Sequence, residues 1–177
     1  EEMATNIVGE LLFDESHFIS EILPYLYVSN QQIAGHLPET NPSPADAFAF
    51  KQKALTKLKQ LNIKAIVHIL TDRNPLYIDD DIKYLTINIG DTSESPILQY
   101  FNAVHTFIET ARDNNENVLI HCSMGSSRSG SICTSYLMRK FGLKYREAVT
   151  ILLHARPICS TSTFETHLLE EEAYLNY

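Results

Sequence analysis

Val118-Leu119-Ile120-His121-Cys122-Ser123-Met124-Gly125-Ser126-Ser127-Arg128-Ser129 decides how the rest of this chain is read. Val118 to Ile120 is a short apolar run of the kind that forms a buried strand. It ends at His121-Cys122. A loop of small residues follows, Cys122 to Arg128, with Gly125 at its centre. After Arg128 the apolar positions Ile132, Cys133, Tyr136, Leu137 and Met138 recur at helical spacing. One cysteine therefore stands at a strand end, facing a run of backbone N–H groups, a helix N-terminus and an arginine. All three favour negative charge at the same place. They favour the thiolate at Cys122, which is the nucleophilic form of that side chain. They also suit a tetrahedral dianion, to which Arg128 can give two parallel hydrogen bonds. The chemistry implied is attack of a thiolate on phosphorus.

The pattern His121-Cys122, five residues, Arg128-Ser129 resembles the signature of the cysteine-based protein tyrosine phosphatases. Its ending, Gly125-Ser126-Ser127-Arg128-Ser129, most resembles the dual-specificity branch. The resemblance covers about residues 20–175 and is dense from 89 to 142. Ile22-Leu23-Pro24-Tyr25-Leu26-Tyr27 is similar to the opening strands of that family, with Ser29 where glycine is common. Arg156, Phe164 and Leu168 match its C-terminal segment, while Ser160, Thr161, Thr163 and His167 replace a proline, an asparagine, a glycine and a glutamine.

The resemblance implies a role for each site residue. Cys122 is the nucleophile. Arg128 and the loop residues Ser123, Met124, Gly125, Ser126 and Ser127 hold the phosphate. Asp91, 31 residues before Cys122, is the general acid. The Ser129 hydroxyl supports the departing thiolate, and His121 orients the cysteine. The implied substrate is a phosphorylated protein, and the implied chemistry needs no metal and no cofactor. Rhodanese-like sulfur transfer uses a similar loop, but the placement of Asp91 and Ser129 disfavours it. A phosphatase of a non-protein phosphomonoester and a phosphate-binding module without turnover are the remaining alternatives. The absence of lysine from the loop speaks against a highly charged inositol headgroup, and the joint presence of Cys122, Arg128 and Asp91 speaks against a mere binding module.

Composition sets the outer limits. A chain of 177 residues with 44% hydrophobic and 20% charged residues can bury one good core. A net charge of −8 disfavours nucleic acid and anionic membrane as partners. The three cysteines, Cys122, Cys133 and Cys159, have no metal or disulfide spacing, which points to a reducing, intracellular compartment. Cys133 and Cys159 read as packing residues. His68, His105, His154 and His167 have no metal-like spacing and read as structural. No signal peptide or apolar run of about 18 residues is present, so no membrane span is expected.

The expected organisation is an N-terminal extension over residues 1–20, with an apolar stretch at Ile7–Phe13, followed by one catalytic domain over 21–177. A proline-bearing insertion is expected at 35–46. Ser43-Pro44-Ala45-Asp46 reads as a helix start, with Ala47, Phe50, Ala54, Leu58 and Leu61 inward. Strands are expected at Ala65–Leu70 and Ile82–Ile89. Gly90–Pro96 is a loop in which Ser95 caps the next helix, whose inner face is Ile97, Phe101, Val104, Ile108 and Ala111. Asp72 and Glu94 are the fallback candidates for the acid. Gly142 is a helix stop. Lys144–Ala155 is a further helix with Ala148, Ile151, Leu152 and Ala155 inward, and Ser162 to Glu165 reads as a capping box. Together these give an α/β fold, a mixed and mostly parallel central sheet with helices on both faces. The site falls at the carboxyl end of the central strand, where ligands collect in such sheets.

Overall fold

Alternating Leu26 and Val28, and the apolar Val118 to Ile120, supply the middle of a five-stranded sheet. In the computed structural model, which describes residues 18–37 and 43–175, β1 (Ile19–Leu23) and β2 (Leu26–Ser29) form an antiparallel hairpin turned at Pro24-Tyr25. β3 (Ile63–His68), β4 (Lys83–Thr86) and β5 (Asn117–His121) are parallel to β2 and to one another. The order β1-β2-β5-β3-β4 puts β5 at the centre. Ile7–Phe13, Pro38 and Pro42 lie outside the described residues.

A parallel central strand is buried on both faces, and β5 shows it. Val118 and Ile120 join one core and Leu119 joins the other. Helix α1 (Pro44–Gln60) covers the Leu119 face with Ala54, Leu55 and Leu58. Helices α2 (Phe101–Asp113), α3 (Ser127–Phe141), α4 (Tyr145–Ala155) and α5 (Glu165–Leu175) cover the opposite face. Helices thus flank a mixed, mostly parallel sheet, as expected.

The local stop and start signals act where the sequence places them. The Ser43 hydroxyl accepts from Asp46 N at 3.1 Å, with Pro44 in the first turn. Gly142 ends α3 at φ 63°, and at the start of α4 the Glu147 carboxylate accepts from Lys144 N at 2.9 Å.

Several boundaries differ. β3 runs from Ile63 to His68 rather than from Ala65 to Leu70; the Ile69 N–H makes the last rung to β5 at the His121 carbonyl, and Ile69 and Leu70 stay buried beyond the strand end. β4 ends at Thr86, not Ile89. Ile87 and Ile89 are buried, but Ile87 N donates to His68 O and the chain leaves the sheet toward Asp91. Ser95 does not cap a helix. A 3₁₀ turn, Ile97–Tyr100, stands between Pro96 and α2, and the five apolar positions expected to face inward are all buried. A second 3₁₀ turn, Ser162–Phe164, replaces the expected capping box, with Ser162 Oγ set against Ser160 Oγ. Ile151 is 38% exposed rather than inward, since it lies about 100° around the helix from Leu152, which takes the buried position. α3 begins at Ser127, so Arg128 lies in its first turn rather than before it.

A polar cluster locks the hairpin and two helices around this core. The Tyr136 hydroxyl of α3 donates to Glu109 of α2 at 2.6 Å and meets the Tyr25 hydroxyl at 2.7 Å. Lys140 and Arg112 reach the same carboxylate at 3.0 and 3.4 Å. Burial pushes the Glu109 carboxyl up, but Tyr136, Lys140 and Arg112 together outweigh it and hold it below its usual range. Its contribution is therefore present above the unfolded-state range and is lost as pH falls through the lower folded-state value. Tyr136→Phe should cost about 1.5–3 kcal/mol, the scale of a hydrogen bond to a charged group. Urea unfolding at neutral pH reads the loss, and the gap from wild type should narrow as Glu109 becomes protonated. A gap that persists unchanged at acid pH would mean the tyrosine acts by packing alone.

Candidate active site

The peptide unit sets the geometry of the Cys122–Arg128 loop. In a trans peptide the C=O and the next N–H point in opposite directions. The Ser123 carbonyl is turned out to Gln31 N at 3.0 Å. The Gly125 carbonyl is turned out to Arg156 Nε at 2.7 Å, and the Met124 carbonyl lies 3.5 Å from Arg156 Nη2. The N–H groups of Met124, Gly125 and Ser126 therefore point into the loop. The N-terminus of α3 adds its own free N–H groups from the next residues. The result is an anion cradle whose outer side is held by Gln31 N and one buried arginine.

Cys122 is 3% exposed at the floor of that cradle, and its Sγ lies 3.1 Å from Ser129 Oγ. Arg128 lays Nη1 on the Ile89 carbonyl at 3.1 Å. That contact ties the guanidinium to the strand end from which the Asp91 loop leaves. Asp91 itself is exposed. The loop is closed by Ser95, whose hydroxyl donates to Gly90 O at 2.7 Å and meets Thr92 Oγ1 at 3.1 Å. From α5, His167 Nε2 donates to Ser93 O at 2.9 Å. Met124, 75% exposed, and Ile158, 54% exposed, form an apolar rim, and Ser126 Oγ donates to Ile158 O at 2.9 Å.

His121 lies beneath the loop, fully buried. β3 and β5 place His68 directly opposite it. His68 Nδ1 and His121 Nε2 are 3.0 Å apart, His68 Nε2 is 2.8 Å from Arg73 O, and His121 Nδ1 is 3.4 Å from Cys122 O. His36 completes a group whose three nearest ring nitrogens lie within 4.8 Å of one another. Burial, followed by repulsion from His68 and Arg73, holds His36 down to about 3. Burial also lowers His68, and it lowers His121 well below its ordinary range, with the neighbouring histidines adding to the effect. All three rings are neutral near pH 7.

Residues 48–173 match the family model described as dual specificity phosphatase, catalytic domain. The chain belongs to that family. It is 37% identical over 115 residues to human dual specificity protein phosphatase 15, a match covering 64% of this chain and 39% of that protein. It is 45% identical over 93 residues to MAP kinase phosphatase with leucine-rich repeats protein 1 of Dictyostelium discoideum, covering 51% of this chain and 11% of that protein. The chain thus spans well under half the length of these relatives. A crystal structure of DUSP15 superposes with a TM-score of 0.70 at 30% identity, over 90% of this chain and 96% of that one. The human tyrosine phosphatase-like serine/threonine/tyrosine-interacting protein superposes with a TM-score of 0.78 at 24% identity, over 91% and 99%, which shows a shared fold.

In this dual-specificity phosphatase domain the structure brings Cys122, Ser129, Arg128 and the loop residues into one cradle. It sets Asp91 on a loop anchored beside it, and His121 underneath. Three other residues escaped the sequence reading. Arg156 matched the family pattern but carried no assigned task. Its burial at 1% exposure, unusual for arginine, gives the task away only in three dimensions. His167 and Ser95 shape the loop that carries Asp91, and neither carries a local signal for it. Cys133 and Cys159 are buried and unpaired. Burial raises both thiols, Cys159 to about 11, which fits packing rather than chemistry.

Gly125 has φ 70°, and a Cβ there would lie 2.5 Å from the Ser29 carbonyl and 2.7 Å from Arg156 Nη2. Two backbones and the arginine cannot all yield. Gly125→Ala should therefore weaken binding of a phosphate analogue such as vanadate at least tenfold. It should also lower stability by about 1–3 kcal/mol, the usual cost of overpacking. Unchanged vanadate affinity would show that the loop does not depend on this close approach.

Proposed function

We propose that this domain is a phosphoprotein phosphatase that hydrolyses phosphotyrosine and phosphoserine or phosphothreonine through a cysteinyl-phosphate. The observation that carries the reading is the cradle itself: inward N–H groups, Arg128 at the rim, and a thiol at the floor with a hydroxyl 3.1 Å away. The family and the dual-specificity relatives support the substrate class.

The mechanism follows from where each group stands. The loop N–H groups and the Arg128 fork hold the non-bridging oxygens and stabilise their charge in the transition state. The Cys122 thiolate forms a bond to phosphorus as the bond to the leaving oxygen breaks, and Asp91 gives that oxygen its proton. A water then attacks the cysteinyl-phosphate, Asp91 takes up a proton from it, and the S–P bond breaks. The thiolate so released receives the Ser129 hydroxyl hydrogen bond. His121, buried beneath the loop at the end of β5, is a positioning residue that fixes where the strand delivers Cys122. No step calls on a metal or a cofactor. The exposed rim of Met124 and Ile158 gives apolar contact to the peptide flanking the phosphorylated residue. Three free cysteines support a reducing, intracellular setting, and among the described residues no helix is long and apolar enough to cross a membrane.

Phosphate release from phosphotyrosine and phosphothreonine peptides is the direct test, with Cys122→Ser as the partner experiment. Serine is nearly isosteric but a far weaker nucleophile at neutral pH. The variant should still bind phosphopeptide yet show no turnover. Hydrolysis retained in purified Cys122→Ser protein would remove Cys122 from the mechanism.

Asp91 gives a sharper test, because an acid matters in proportion to the leaving oxygen's need for a proton. Asp91→Asn should slow phosphorylation of Cys122 least with activated aryl phosphates, more with phosphotyrosine and most with phosphothreonine. The span should approach the roughly 10²–10⁴-fold worth of general acid help. Single-turnover kinetics on a leaving-group series reads it. An equal loss on every substrate would make Asp91 a structural loop residue and shift the role to Asp72 or Glu94.

A further inference from the structure

Two backbone carbonyls control the histidine cluster beneath the loop. A carbonyl only accepts, so the 2.8 Å contact to Arg73 O puts the proton of His68 on Nε2 and leaves Nδ1 bare. The same reasoning at Cys122 O puts the proton of His121 on Nδ1 and leaves Nε2 bare. The two bare nitrogens would then face each other at 3.0 Å, lone pair against lone pair. Without a cation, one carbonyl contact must be given up. His121 then shifts its proton to Nε2 and donates to His68, and its Nδ1 is left without a hydrogen toward the Cys122 carbonyl. The long 3.4 Å separation at that contact agrees with this state. A cation between the rings would satisfy both carbonyls at once.

The third ring favours a metal as that cation. Among the described residues, no hydrogen bond ties either ring nitrogen of His36. Its ring stands 5.2 Å from the His68 ring and 5.8 Å from that of His121. We propose that His36, His68 and His121 form a binding site for one zinc ion, coordinated by His68 Nδ1, His121 Nε2 and a nitrogen of His36. Three imidazoles with a fourth position open to water are a recognised zinc donor set, at Zn–N distances of about 2.0–2.1 Å. A tetrahedral ion at that length needs nitrogens about 3.3 Å apart. The His68–His121 pair is already close to this, and His36 closes the remaining gap by rotating its ring. Both carbonyl contacts then serve as the outer hydrogen bonds that fix the tautomer of a zinc-bound imidazole. His36, 5% exposed, is the side of the cluster nearest solvent and so the side from which an ion enters. Cys122 Sγ takes no part, since it faces Ser129.

The test uses the full chain carrying Cys122→Ser, so that no thiolate in the cradle competes for the metal. Zinc is titrated against a chromophoric chelator. The expected result is one zinc per chain, a rise of several degrees in Tm with excess zinc, and an affinity lowered at least tenfold by His36→Ala. His154→Ala, an exposed histidine remote in sequence from the cluster, should bind as the parent does. Cobalt(II) in place of zinc should give the intense visible bands of a four-coordinate ion. Equal zinc affinity in the parent and in His36→Ala overturns the site, as does the absence of stoichiometric binding in the parent. If His36→Ala fails to fold, His36→Gln keeps the volume, and the cobalt spectrum of the parent decides: weak octahedral bands overturn the proposal. Phosphatase activity enters none of these readouts, so their failure leaves the phosphatase reading untouched.

Discussion

A loop that gathers N–H groups around an anion must turn its carbonyls the other way, into the protein, and each of those carbonyls then needs a donor. Gln31 N, Arg156 Nε and Arg156 Nη2 meet the carbonyls of Ser123, Gly125 and Met124. An unpaired buried carbonyl costs free energy on the scale of a lost hydrogen bond. The outer contacts are therefore as necessary to the cradle as the inner N–H groups. They also explain the burial of Arg156. Burial lowers its pKa, while the nearby Cys159 and Cys122 oppose that shift. Its third reach, Nη1 to Ser20 Oγ at 3.0 Å, ties the cradle to β1.

The same economy shapes the loop that carries Asp91. β4 is one of the two edge strands, and after its four residues the chain is free to leave the sheet. Ile87 and Ile89 stay buried and anchor the departure, and the Ile89 carbonyl receives Arg128. A loop built this way can carry an exposed aspartate on a rigid base. Ser95 and His167 then limit its movement from two sides. His167 stands where the family pattern has a glutamine, and its imidazole donates to the Ser93 carbonyl.

Legibility in the sequence followed the range of the interactions. Strand β5, the loop and α3 are contiguous, so their small residues, arginine and helical periodicity were visible together. Ser43, Gly142 and the inner face of α2 were visible for the same reason. Ser95 misled because a serine before a proline carries the same local signal whether it caps a helix or pins a loop. Only the 3₁₀ turn at Ile97–Tyr100 separates the two. Ile82–Ile89 alternates like a strand throughout, yet pairing stops at Thr86 where β3 runs out of partners. Of the cluster, His68 reads as structural and His36 carries no signal, because His36, His68 and His121 are far apart in sequence. Strand register brings the last two face to face, and register is not written in spacing.

Arg156 also fixes when the cradle can exist. Cys122 and Arg128 come earlier in the chain, but the donor that holds the Gly125 carbonyl comes 31 residues after that glycine, beyond the whole of α3 and α4. That contact needs the 31 intervening residues closed into a loop first. A nascent chain that has made its central strand and its nucleophile still lacks an ordered anion site. The cradle is thus complete only when the chain beyond α4 has packed back on it, and a chain that stops short of Arg156 has the cysteine without the cradle.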